Sequence, residues 1–162
     1  MLLWLNILAR RIEPVDQIMA AHWLQFGRNY YSRHDYEAVP SERANALIQR
    51  LRDIAGELPG QQFQGLTIES ADDFAYHDPV DGSVSKNQGI RISFADGSRV
   101  VLRLSGTGTE GATLRVYLER YEAETGRHDL PVEEALAPVI AAAEEIALIR
   151  EFTGRDRPDV TT

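Results

Sequence analysis

A chain of 162 residues that is 43% apolar and 26% charged is long enough to bury one core and too apolar to be disordered. It contains no cysteine, which excludes disulfides and thiolate chemistry. Its net charge of −8 opposes bulk attraction to nucleic acid or anionic membranes, so an anionic ligand must be held by a local cluster against the field of the whole.

The opening "MLLWLNILARR" reads as a helix, or the tail of one, that packs on something. Its apolar run is too short to span a bilayer. The positive charge follows that run and no small-residue cleavage site appears, so a signal peptide is not expected. Pro14 then opens a helix over "VDQIMAAHWLQF", with Ile18, Ala21, Trp23 and Phe26 as apolar contacts and Gly27 as its stop. The next stretch, "RNYYSRHDYEA" (28–38), is polar and aromatic without helical period, predicting a loop or a short extended piece. Ser41 and Glu42 begin another helix, whose stripe is Ala44, Leu47, Ile48, Leu51 and Ile54, and Gly56, Pro59 and Gly60 end it.

From residue 66 the period changes. "LTIES" alternates weakly, and "GIRISF" puts Ile90, Ile92 and Phe94 on one face with Arg91 and Ser93 on the other. "ADGSR" is an Asp-Gly turn signal. In "VVLRL", Val100, Leu102 and Leu104 point inward, Val101 and Arg103 outward. In "TLRVYLERY", Leu114, Val116 and Leu118 point inward, Thr113, Arg115, Tyr117 and Glu119 outward. Three such strands imply an antiparallel sheet with one covered face. Residues 132–153 return to helical spacing, with Pro138 expected to kink the helix or start it, and the tail "TGRDRPDVTT" is expected to be loosely ordered. The order predicts an α+β domain: an antiparallel sheet packed against helices over 14–162, preceded by residues 1–13 as a linker helix or the end of another domain.

One stretch carries chemistry. In "RLSGTGTEGATLR" (103–115), Arg103, Ser105 and Thr107 share a parity, and Arg115 lies on the outward face of the next strand. If the two strands pair around 105–112, both guanidinium groups reach the same loop from the same side. Gly106 and Gly108 let a ligand approach the backbone, whose N–H groups can form an anion-binding nest. A glycine-rich hairpin turn accounts for the same residues, and both readings stay open. For a phosphate, Glu110 has to point away. No Gly-Lys-Ser/Thr follows, so this is not a Walker loop. Sixteen of the 17 basic residues are arginine, the type suited to bidentate phosphate recognition; Lys86 is the only lysine.

The same loop resembles the phosphate-binding loop of the phosphoglucomutase family, within the α-D-phosphohexomutases, as do "DPVDGSVSKNQG" (78–89) and "GRNYYSRHDYE" (27–37). The resemblance runs from about Trp4 to the end of the chain. It implies a TATA-box-binding-protein-like fold and the fourth domain of a four-domain enzyme that interconverts glucose 1-phosphate and glucose 6-phosphate. Such enzymes use a phosphoserine and a magnesium ion, and their last domain grips the substrate phosphate that is not reacting. Carried over, that role falls to Arg103, Ser105, Gly106, Thr107 and Arg115. The implied partners are a phosphosugar and the remaining domains, with no nucleic acid and no membrane, in the cytoplasm.

The family's phosphoserine loop, magnesium loop and sugar loop have no counterpart here. The chain is therefore expected to be the C-terminal part of a longer enzyme, with no catalytic residue, Mg2+ bound outside it, and no activity alone. A free-standing phospho-ligand or interaction module without catalysis is the alternative. Asp78 and Asp81 are expected to form turns. Arg28 is a candidate cleft contact, with pairing to Asp35 or Glu37 as its other reading. His22, His34, His77 and His128 lack metal-ligand spacing and are expected to be surface or satisfied histidines.

Overall fold

A computed structural model describes residues 2–108 and 111–162, apart from the side chains of 107 and 108. In chain order the elements are α1 (Leu2–Arg11), α2 (Val15–Phe26), β1 (Arg28–Val39), α3 (Ser41–Ile54), β2 (Gln62–Phe63), β3 (Leu66–Asp73), β4 (Tyr76–His77), β5 (Val84–Ser85), β6 (Ile90–Phe94), β7 (Arg99–Gly108), β8 (Gly111–Glu122), α4 (Val132–Ala147), α5 (Ile149–Thr153) and β9 (Val160–Thr161).

The period-two stretches build the middle of a seven-stranded sheet of order β2-β3-β6-β7-β8-β1-β9, antiparallel throughout, with β4 and β5 forming a separate hairpin. Its inner face carries Ile90, Ile92, Phe94, Val100, Leu102, Ala112, Leu114, Val116 and Leu118, all buried. Two helices cover that face with apolar stripes at helical spacing: Ala44, Leu47, Ile48 and Leu51 of α3, and Ala135, Leu136, Val139, Ala142, Ala143 and Ile146 of α4. The α+β fold with one helix-covered face is the one the alternation predicts.

Four local expectations differ from the structure. Residues 28–39 are not a loop but the long strand β1, whose inward positions Tyr30, Ser32, His34 and Tyr36 mix aromatic and polar side chains and so hide the alternation. The tail is ordered: β9 adds to the free edge of β1, with Thr162 N–H donating to Arg33 O at 3.0 Å and Arg33 N–H to Thr162 O at 2.9 Å. Pro138, expected to kink the helix or start it, lies inside α4 and so does not start it. The carbonyl it leaves without a helical donor, four residues back, belongs to exposed Glu134, where water can donate to it. The helical run breaks instead at Leu148, whose φ of 51° is left-handed. In α2 only Ile18 is buried, and α1 buries nothing.

His34 lies on the helix-covered side of β1, opposite Val116. Burial lowers its pKa from 6.5, against the opposing pull of Glu133 and Asp35. Above that ordinary value the imidazole is neutral folded and unfolded, and contributes no pH dependence. As the pH falls below it, the unfolded chain takes up the proton first and stability is lost. We therefore expect the thermal midpoint to drop between pH 7.5 and 5.5, and His34→Gln to shrink that drop. A variant that falls as steeply as the parent would clear His34 as the cause.

Candidate functional site

The hairpin between β7 and β8 is built from its strands upward. Arg103 and Arg115 are direct cross-strand partners, as are Leu104 and Leu114, and Ser105 and Thr113. The register then slips before Gly108 pairs with Gly111, a bulge at the mouth of the loop. Gly106 takes φ 65°, and no atom of the described residues lies within 4 Å of where its Cβ would be. Gly111 has a different reason: a Cβ would stand 2.9 Å from the Val39 carbonyl oxygen, so its bareness lets β8 pass the end of β1. The hydroxyl expected of Thr107 and the orientation expected of Glu110 lie outside the described residues.

Arg103 and Arg115 thus meet on the outer face, as strand parity predicts. On that face four arginines, Arg33, Arg91, Arg99 and Arg103, line an open groove of about 650 Å³ together with Tyr31 and Tyr117. Most of these charges are answered. Arg91 makes a two-pronged pair with Asp72 at 2.9 and 2.8 Å, Arg99 pairs with Glu119, and Arg33 Nε lies 2.9 Å from Asp35 Oδ1. The Asp72 hydrogen bond raises the pKa of Arg91 further, so its charge is fixed. Arg115 reaches the other oxygen of Asp35 at 3.8 Å. Arg103 has no carboxylate partner among the described residues; its Nη2 donates only to Gln88 Oε1 at 3.3 Å. Among the arginines that line the groove, that makes Arg103 the one most available to an anion.

Gln88 and Gly89 were not singled out individually by the sequence, yet both touch Arg103. A Cβ on Gly89, at φ 146°, would fall 2.5 Å from Arg103 Cγ and 2.8 Å from the Leu102 carbonyl oxygen. The signal available was the glycine closing the 78–89 motif. Within that motif, Asp78 and Asp81 do form turns: their Oδ1 atoms accept the N–H of Val80 and Ser83, each at 2.8 Å. The Ser83 contact holds the Asp81 carboxyl below its usual range.

Arg28 is not brought to this site. It pairs across from Glu122, while the hairpin end of β8 lies opposite Val39, roughly 33 Å away at about 3.3 Å per residue. Its guanidinium is sandwiched 4.2 Å from the Trp23 ring centroid and 4.1 Å from that of Tyr30, and donates to the His128 carbonyl. Neither Asp35 nor Glu37 pairs with it.

The described residues do not fit a magnesium ion. No three His, Asp or Glu side chains converge among them. Glu119 of the groove, and Asp35 and Asp72 beside it, all face arginines. No helix is long and apolar enough to cross a membrane among the described residues.

Residues 28–159 match the family described as phosphoglucomutase-1, C-terminal domain. The chain is 57% identical to a phosphoglucomutase of Rhizobium radiobacter and 46% identical to phosphoglucomutase-1 of Oryctolagus cuniculus, each over 99% of the chain and 30% of the relative. Among solved structures, parafusin of Paramecium, a phosphoglucomutase in its open form, superposes with a TM-score of 0.86 at 45% identity, over 98% of the chain and 28% of its own. The chain therefore spans under a third of the length of these relatives.

Proposed function

Because the chain belongs to the phosphoglucomutase family, as its C-terminal domain, we propose that it holds the non-reacting phosphate of a hexose phosphate while other domains transfer the second. One observation supports this above the others. Arg103 and Arg115 oppose each other on neighbouring strands at the mouth of an open glycine hairpin, and Arg103 lacks a carboxylate partner among the described residues. Like charges placed directly opposite are unfavourable on a sheet, and an anion between them removes the penalty.

On this reading Arg103, Ser105, Gly106, Thr107 and Arg115 bind phosphate, and no residue of the chain is catalytic. The arginines supply charge-assisted hydrogen bonds, and the loop amides and hydroxyls complete the cradle. Contacts confined to the phosphate accept either end of the sugar, as interconversion of glucose 1-phosphate and glucose 6-phosphate requires. The domain's contribution is positioning: binding energy from the remote phosphate orients the sugar for reaction elsewhere. Residues 1–13 belong to the preceding domain or its linker in this arrangement, the magnesium ion is held outside the described residues, and the enzyme is cytoplasmic.

Titrating the 162-residue chain with glucose 6-phosphate tests the reading. The amide resonances of Gly106 and Gly108 should shift, and glucose at equal concentration should leave them still. Shifts confined to other parts of the chain would refute the cradle.

A further inference from the structure

Among the described residues a single carboxylate is buried: Asp35, 4% exposed. It does not face the core. It lies on the outer side of β1, where its neighbour Tyr31 is 74% exposed. Two things bury it. The tail strand β9 runs beside it, with Val160 as its partner and Asp159 N–H donating to its carbonyl at 2.9 Å. Arg33 and Arg115 flank its two oxygens.

Asp35, Arg115 and Arg103 occupy one cross-strand row leading to the glycine hairpin. Arg33 closes on Asp35 Oδ1 at 2.9 Å, a true hydrogen bond. The Arg115 contact is different: its Nε stands 3.8 Å from Oδ2, too far for a hydrogen bond, although Nε is buried and has no other acceptor among the described residues. A buried N–H without an acceptor is unfavourable, and the acceptor nearest to completing it is that second carboxylate oxygen.

We propose that Asp35 is the positioning residue for Arg115. Its Oδ2 takes the Arg115 Nε–H when an anion occupies the hairpin mouth, which leaves the two terminal nitrogens of the guanidinium as a fork toward the phosphate. Arg33 holds the opposite oxygen, so the carboxylate cannot rotate away, and β9 keeps water from competing for it. This rests on the phosphate reading above.

The charge of Asp35 gives the idea a decisive sign. A carboxylate beside an anion site repels the anion, so by Coulomb's law alone Asp35→Asn would tighten binding. Positioning requires the reverse, because one amide oxygen cannot serve both arginines. Inorganic phosphate is titrated into the 162-residue chain, into Asp35→Asn and into Arg103→Ala, with folding checked by the dispersion of core methyl resonances. Weakening of tenfold or more in Asp35→Asn is expected; equal or tighter binding there, alongside weakened Arg103→Ala, overturns the positioning role alone. A parent chain blind to phosphate, or undiminished binding by Arg103→Ala, overturns the phosphate reading and the proposal with it. Should Asp35→Asn not fold, the parent decides. Phosphate should slow solvent exchange of the Arg115 Nε–H and leave that of exposed Arg127 unchanged, and unaltered exchange at Arg115 overturns the proposal.

Discussion

Arg103→Ala is expected to weaken glucose 6-phosphate binding tenfold or more, and to lower kcat/KM of the full-length enzyme by the same factor, while the fold is kept. The magnitude follows from losing one charge-assisted contact, about 1.5–3 kcal/mol. The stability side has its own sign. Arg103 stands directly opposite Arg115 across β7 and β8, and like charges so placed destabilise a sheet by a few tenths of a kcal/mol or more. Removing Arg103 relieves that repulsion and gives up a 3.3 Å contact with Gln88 and the packing of its stem on Gly89. Calorimetry should therefore find the thermal midpoint unchanged or slightly raised as affinity falls. A residue serving structure would show the opposite, and unchanged affinity would refute the phosphate assignment.

Gly89→Ala is expected to damage both stability and binding. Its φ of 146° is a conformation that L side chains rarely adopt, and strain of this kind costs on the order of 1–3 kcal/mol. Relaxation offers little relief, because one of the two atoms in the way is the Leu102 carbonyl oxygen, part of the β7 backbone. The other, Arg103 Cγ, can move only by swinging the guanidinium from its place above the groove. Denaturant unfolding should show the loss, and the phosphate titration should show weakened affinity in the fraction that remains folded. Gly106→Ala is the contrast: it shares the positive φ but meets no atom of the described residues within 4 Å, so the backbone strain is the cost it is expected to carry. Equal stability losses in the two variants would mean that the close approach at Gly89 is unimportant.

By itself the sequence determined the inner face of the sheet, the apolar stripes of α3 and α4, the hairpin at 105–112 and the side on which Arg103 and Arg115 emerge. All of these follow from periodicity, since successive strand residues alternate faces and a helix returns every 3.6 residues whatever surrounds it. The three motifs that carry the family resemblance were legible for a similar reason, being contiguous runs.

Tertiary structure decided what depends on neighbours distant in the chain. β1 is a strand because β8 and β9 pair with it on either side, although Ser32 and His34 interrupt its apolar face. The polar tail is ordered because that edge supplies unpaired backbone groups for it to bond. Arg28 sits in an aromatic sandwich at the end of β1 away from the glycine hairpin, because the fold brings Trp23 and Tyr30 to its two faces. Asp35 is the sharpest case. A carboxylate on an outward strand position reads as solvated, and only the meeting of β9, Arg33 and Arg115 around it removes the water. Burial is a property of the packed assembly, and no periodicity in the sequence encodes it.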